Sequence, residues 1–322
     1  MAIPQPLTLT MLDVRYHIVY LCAVFLMLGF GILIGEHVTL PVQVIQQAKS
    51  LAALQVQVDG AVQEGRDAKS QLVQVERALN SLRPKLTHGK LTGRRVVVVQ
   101  CGDYPQATAS AAAALQLSGA NVAATVVIED KMDALTSSQI TTLLGTLPAD
   151  SYPAPAETPD AGANSADNGP ILAAIASILR SGSTSKPSLG QALQILQTQG
   201  LLTVDGDVAA PCASFVFVGG RKIDWPDDSA NPIDGNLIQR LEDSSTPTAP
   251  VTIVGCEPFD VGVSSIKTYQ KYGLTTIDCV DRSLGQLDLP YTLRTDAGDR
   301  ADYGLKPTAT RQLPPVLEDQ SS

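Results

Sequence analysis

Histidine, methionine and aromatic side chains are scarce: 322 residues hold three His, four Met, one Trp and 4% aromatics in all. With no His after His88, a His-rich metal centre is excluded from the rest of the chain. Met132 is the only Met beyond residue 27, and there is no M-x-x-M pair of the kind that soft copper sites use. So few aromatics exclude a stacking platform for bases. The five Cys contain no C-x-x-C pair, which excludes a zinc ribbon and a thioredoxin-type motif. Basic charge is also short. A formal net charge of −9 argues against nucleic acid as a partner, because phosphate binding needs a basic surface. The hydrophobic share of 44% excludes a fully disordered chain. The lack of repeated long apolar runs excludes a multi-span transporter.

The chemical motifs of common enzymes are missing as well. There is no G-x-G-x-x-G fingerprint, no P-loop G-x-x-x-x-G-K-[ST] and no G-x-S-x-G elbow. Without a His beyond His88, a Ser–His–Asp triad cannot form there. Neither an enzyme nor a bound cofactor is expected.

One long apolar run is present. Ile18 to Gly35 (IVYLCAVFLMLGFGILIG) carries no charge. Its length as a helix is ~27 Å at ~1.5 Å per residue, enough for a bilayer core. A buried core helix would show a polar face, and a cleaved signal would end in small residues. Gly35-Glu36-His37-Val38-Thr39 fits such a site poorly, so an uncleaved anchor is expected. Arg15 precedes the run, Glu36 follows it, and the first downstream Lys is Lys49. The positive-inside rule then places the N-terminus in the cytoplasm and the remainder outside it. Gly31 and Gly35 form a G-x-x-x-G step, which suits close helix approach but also ordinary glycine use in a span.

A heptad pattern follows. Its a positions are Val44, Leu51, Val58, Gly65, Leu72, Leu79 and Leu86; its d positions are Gln47, Leu54, Ala61, Ala68, Val75 and Leu82. The 3.5-residue period predicts a coiled coil and hence a homodimer or higher oligomer, with an amphipathic helix lying on a neighbouring surface as the alternative. Pro84 marks a break within about a turn. Arg83, Lys85, His88, Lys90, Arg94 and Arg95 form a basic cluster, expected to be a solvated lead into the next domain.

From residue 94 to 306 strands and helices alternate. Strands are expected at 95–100, 121–128, 214–218, 251–254 and 275–279. Helices are expected at 106–117, 137–147, 171–179, 189–199, 236–241 and 264–272. Residues 148–170, rich in Pro, Ala and Asp and without Lys or Arg, read as a disordered loop or insertion. The pattern predicts an α/β fold: a three-layer domain around a mostly parallel sheet. The full organisation is a cytoplasmic tail (1–17), a transmembrane helix (18–35), a coiled coil (40–87), the α/β domain (94–306) and a C-terminal tail (307–322).

In such a fold, a site is sought beyond the carboxyl ends of the strands. Cys101 and Cys256 both follow expected strands, with Asp103 and Glu257 beside them. If the strands bring them together, two thiolates and two carboxylates form a candidate metal set: Cys101, Cys256, Asp103 and Glu257. The alternatives are cysteines acting as small core hydrophobes, or disulfides among Cys101, Cys212, Cys256 and Cys279, for which three pairings exist.

Two segments carry a family resemblance. One is Asp13-Val14-Arg15-Tyr16-His17 running into Leu28-Gly29-Phe30-Gly31-Ile32-Leu33-Ile34-Gly35. The other is Asp278-Cys279-Val280-Asp281 with Leu284-Gly285-Gln286 and, later, Tyr303-Gly304-Leu305-Lys306. They resemble the mycobacterial copper transport protein B family. The resemblance implies one membrane helix, a coiled coil and an α/β region, with a role in copper efflux or homeostasis at the cell envelope. Copper would then be a substrate and not a cofactor. A single helix forms no pore by itself, and an α/β domain supplies no closed barrel.

Overall fold

A computed structural model describes residues 12–152, 168–222, 232–246, 248–294 and 300–318. By contacts the chain divides into two units, residues 1–74 and 75–322. Most of the expected tail at 1–17 and of the expected loop at 148–170 lies outside the described residues.

The first unit is helical, and its helix α1 runs Leu12–Thr87. Within it Arg15–Ile34 forms the one candidate span among the described residues, 20 residues with a mean hydropathy of 2.4. Phe25, Leu26 and Phe30 are all more than half exposed. Such a surface is stable in hydrocarbon and costly in water. The helix continues through the expected coiled-coil region and ends at Thr87, within a turn of Pro84.

The second unit holds seven strands in the order β3-β2-β1-β4-β5-β6-β7. They are β1 Arg95–Gln100, β2 Asn121–Ile128, β3 Leu202–Gly206, β4 Ser214–Val218, β5 Thr252–Cys256, β6 Thr275–Ile277 and β7 Asp302–Tyr303. Every neighbouring pair is parallel except β2 and β3. The central strands are built of Val and Phe and are buried on both faces, as a covered parallel sheet requires.

Alternate residues feed two cores. Val97, Val99, Phe215 and Phe217 face α3 (Ser137–Thr146), α4 (Gly169–Ser181), α5 (Pro187–Thr198), α6 (Pro232–Asp243) and α7 (Ile266–Lys271). Val96, Val98, Val216 and Val254 face α2 (Pro105–Leu117) and α8 (Ser283–Arg294). The result is a mixed α/β domain of three layers.

The structure adds to the sequence expectation at several places. The last turns of α1 belong to this unit: the Tyr291 hydroxyl donates to the Leu86 carbonyl at 2.8 Å, and the Ser283 hydroxyl meets Glu76. β3, β7 and α8 are additional elements. The described residues 307–318 fold back, with Thr310 N donating to Asp302 O at 2.8 Å, and include α9 (Pro315–Glu318).

Candidate functional site at the carboxyl edge of the sheet

β1 neighbours β2 on one side and β4 on the other, so the chain reverses its direction of travel across the sheet between β1 and β4. Open α/β sheets form a crevice at such a switch point, beyond the carboxyl ends of the strands. Here those ends are Cys101-Gly102-Asp103 and Gly219-Gly220-Arg221. The backbones approach so closely that a Cβ on Gly102 would lie 2.3 Å from the Gly220 carbonyl oxygen. Glycine is required by that contact.

Arg221 occupies the crevice with its side chain 6% exposed. Its guanidinium donates to Asp103 Oδ1 at 3.2 Å, to Asp133 Oδ2 at 3.1 Å and to Asp130. Three carboxylates thus share one cation. Burial pushes the Asp133 carboxyl up; Arg221 pulls it back and Asp130 adds to the rise. Burial disfavours the Arg221 charge, but the three carboxylates outweigh it and hold the guanidinium firmly protonated.

Beneath this cluster lies a second layer. Asp234, in the first turn of α6, is 1% exposed and accepts from the Tyr269 hydroxyl at 3.1 Å. Cys101 lies beside it. Burial first, then Asp234, pushes the Cys101 thiol well above its ordinary range, leaving a protonated and unreactive thiol. Burial lifts the Asp234 carboxyl to about 7, against the opposing pull of Tyr269 and Arg221.

A stability prediction arises from this shift. The folded state holds the Asp234 proton up to about pH 7, whereas the unfolded chain releases it near the ordinary value of about 4. Folding therefore takes up a proton in that window, and the contribution of Asp234 to stability falls as pH rises from about 4 to about 7. Urea unfolding of the Asp234→Asn variant should show a flatter pH dependence across the window than the wild type. Parallel curves would show that Asp234 does not titrate there.

Outward of Arg221 a cavity of 380 Å³ is lined by Asp103, Tyr104, Lys222, Asp260 and Asp281, with the first turn of α2 as one wall. Its carboxylates are already engaged. Asp103 Oδ2 accepts from Lys222 N at 2.9 Å, Asp281 Oδ1 from Phe259 N at 2.7 Å, and Asp260 from Arg282 at 3.2 Å.

The third arrangement closes the C-terminus. Glu257 is fully buried and accepts from Ser265 N at 2.8 Å, from the Ser264 hydroxyl at 2.9 Å and from Lys306 Nζ. Asp278 accepts from Leu305 N at 2.8 Å and from Lys306 N at 3.0 Å. Gly304 has φ of +145°, and a Cβ there would fall 1.8 Å from Asp278 Oδ1. The two separated C-terminal segments that carry the family resemblance are therefore halves of one clamp: Asp278 grips the backbone of the segment containing Gly304.

The four residues of the sequence-derived metal set do not converge. The registered partner of Cys256 is Val218, whose registered partner on β1 is Gln100, so Cys101 is displaced by one residue from that row. One residue of offset puts a side chain on the opposite face. Cys101 accordingly lies in the core under α6 and α7, and Cys256 in the core under α8. Asp103 is bound to Arg221, and Glu257 to Lys306. Among the described residues, no group of three or more His, Cys, Asp and Glu is placed to hold a metal ion. The four domain cysteines are buried and unpaired as thiols. Cys279 lies near enough to Cys256 to act on its thiol. Burial raises both thiols, Cys279 adds to the rise at Cys256, and Asp278 and Asp288 add to that at Cys279.

Part of the basic cluster is structural, while Lys85 and His88 are exposed. Arg95 pairs with Asp207 at 3.3 Å, Arg94 donates to the Leu293 carbonyl, and Lys90 lies 5.4 Å from the Tyr291 ring centre. The sequence assigns no role to Arg221, Asp234, Asp278 or Lys306, although Asp278 and Lys306 lie in the segments that carry the family resemblance. The Gly-Gly-Arg step after β4 was the one local signal for Arg221.

Among the described residues one N-terminal span, continued as a long helix and followed by a three-layer α/β domain, fits a single-pass membrane protein. The chain matches the family described as copper transport outer membrane protein, MctB, over residues 11–314, and it belongs to that family. No curated protein matches it.

Proposed function

We infer that this protein acts in copper efflux or homeostasis at the cell envelope, with copper as its substrate. Family membership over nearly the whole chain is the observation that carries this reading. The span at Arg15–Ile34 anchors the chain, and Arg15 on its N-terminal side keeps the N-terminus in the cytoplasm. The α/β domain then stands outside the cytoplasm, on a coiled-coil spacer that joins two or more copies. No enzyme activity and no resident cofactor belong to this reading.

The exposed apolar heptad positions favour a second reading, that of a membrane-anchored interaction protein. Leu51, Leu54, Val58 and Leu72 are all more than half exposed.

Cellular copper in a deletion strain, measured by elemental analysis with and without the restored gene, separates the two. Accumulation reversed by the gene is the expected result. Because Cys101 and Cys256 lie on opposite faces of the sheet, a Cys101→Ser, Cys256→Ser double variant that still folds should restore copper balance equally well. Unchanged copper in the deletion strain would overturn the copper role and leave the interaction reading.

A further inference from the structure

The helical unit presents an apolar surface that water alone does not satisfy. Leu51, Leu54, Val58 and Leu72 are 57–66% exposed, and all occupy a or d positions. The intervening positions are largely polar or charged, Val56 and Val62 being the large apolar exceptions, so Leu51, Leu54, Val58 and Leu72 mark one seam with a 3.5-residue period. A seam of that period fits another helix wound around it better than a flat surface.

Charge selects the occupant. Glu64 stands at a g position and Lys69 at the e position of the next heptad. Neither has an opposite charge three or four residues away along its own helix: Glu64 has Gly60, Ala61, Asp67 and Ala68 there, and Lys69 has Gly65, Arg66, Leu72 and Val73. Both side chains are exposed. Five residues apart, they do not face each other within one helix. In a parallel, in-register pair of identical helices, each g position faces the e position of the partner's next heptad. Glu64 of one copy then meets Lys69 of the other, twice by symmetry. An antiparallel pair loses this match. Two chains anchored in one membrane by N-terminal spans are in any case held parallel and level.

The pairing falls where it is most needed, beside Gly65 and Ala68, the two weakest core positions of the seam. The span offers a compatible surface: Cys22, Leu26, Gly29 and Leu33 line an apolar groove, and a Cβ on Gly29 would meet open space. Small residues at such a groove admit a second helix closely.

We propose that two copies of this chain pair through residues 51–72 as a parallel, in-register coiled coil closed by reciprocal Glu64–Lys69 ion pairs. This deepens, and rests on, the coiled-coil spacer of the functional reading.

The test uses full-length protein in membranes, in a Cys22→Ser background because Cys22 is the exposed cysteine. Under mild oxidation Leu54→Cys, at a d position, should yield a covalent dimer, whereas Val56→Cys, at f, should not. Equal cross-linking at both positions, or none at either, would overturn the coiled coil itself. The charge pairing is read separately, by sedimentation in detergent at low salt. Glu64→Lys and Lys69→Glu should each weaken the dimer on the order of tenfold, since each sets like charges together twice. Mixing the two variants should restore it through a heterodimer with both pairs attractive. Single variants that dimerise like the wild type, or a mixture that fails to recover, would overturn the Glu64–Lys69 register even if the Leu54→Cys cross-link forms.

Discussion

Replacing Lys306 by alanine is expected to destabilise the α/β domain more than any other single side-chain truncation in the C-terminal clamp. Glu257 is fully buried, and its remaining contacts are one backbone N–H and one hydroxyl. Removing the ammonium leaves a carboxylate without a compensating charge in the core, a change worth about 3–5 kcal/mol. At ~2–4 °C per kcal/mol for a domain of this size, the melting temperature should drop by roughly 10 °C. Lys306 is also the residue through which Asp278 and Glu257 both hold the returning chain, so limited proteolysis should cut the variant near residue 300 first. The double variant Glu257→Gln, Lys306→Met tests the cause. If the penalty is an orphaned charge, the double variant should recover most of the lost stability. A double variant as unstable as the single one would show that the lysine stem, and not its charge, holds the segment.

The second large effect is expected at Arg221→Met. Asp103 and Asp133 have side chains 22% and 16% exposed and would lose their shared cation, while Asp130 at 66% is screened by solvent and adds little. Destabilisation on the order of 3 kcal/mol is expected at neutral pH. Its pH dependence carries the diagnosis. Arg221 favours the ionised form of Asp133, so this contribution is present while Asp133 is ionised and fades as it protonates in acid. Urea unfolding should therefore show a larger difference between variant and wild type at pH 7 than at pH 4. A difference independent of pH would mean that Arg221 stabilises by packing alone.

These two positions show how charge is used in this domain. The Asp and Glu residues at the carboxyl edge resemble, in sequence, the makings of a cation site. In three dimensions most of them are tied to Arg221, Lys306, Arg282 or backbone N–H groups. The buried Asp288 is a different case. Burial, with Asp278 beside it, pushes its carboxyl well above the ordinary range.

Much of the architecture was legible in the chain. The span needs only eighteen uncharged residues in a row, a purely local property. The strands at 95–100, 121–128 and 214–218 have the bounds that the sequence predicts, because near-continuous runs of Val, Ala, Phe and Ile leave a clear local signal. β3 escaped because Leu202–Gly206 mixes Thr and Asp into an edge strand with one side in water. Helix α8 escaped because it carries Gly285 and Pro290 and is buried nearly all round, so it has no polar stripe to reveal its period.

The candidate site divides the same way. The sequence alone determined that the chain is anchored once, that a long heptad helix follows, and that a parallel sheet presents its chemistry at the carboxyl ends of its strands. It also determined which groups are available there. Only the tertiary structure decided which of those groups meet. A side chain's face in a sheet depends on register to a single residue, and that register is set by packing between strands more than a hundred positions apart. Cys101 and Cys256 were thereby sent to opposite cores, Asp103 was given to Arg221, and Glu257 to Lys306.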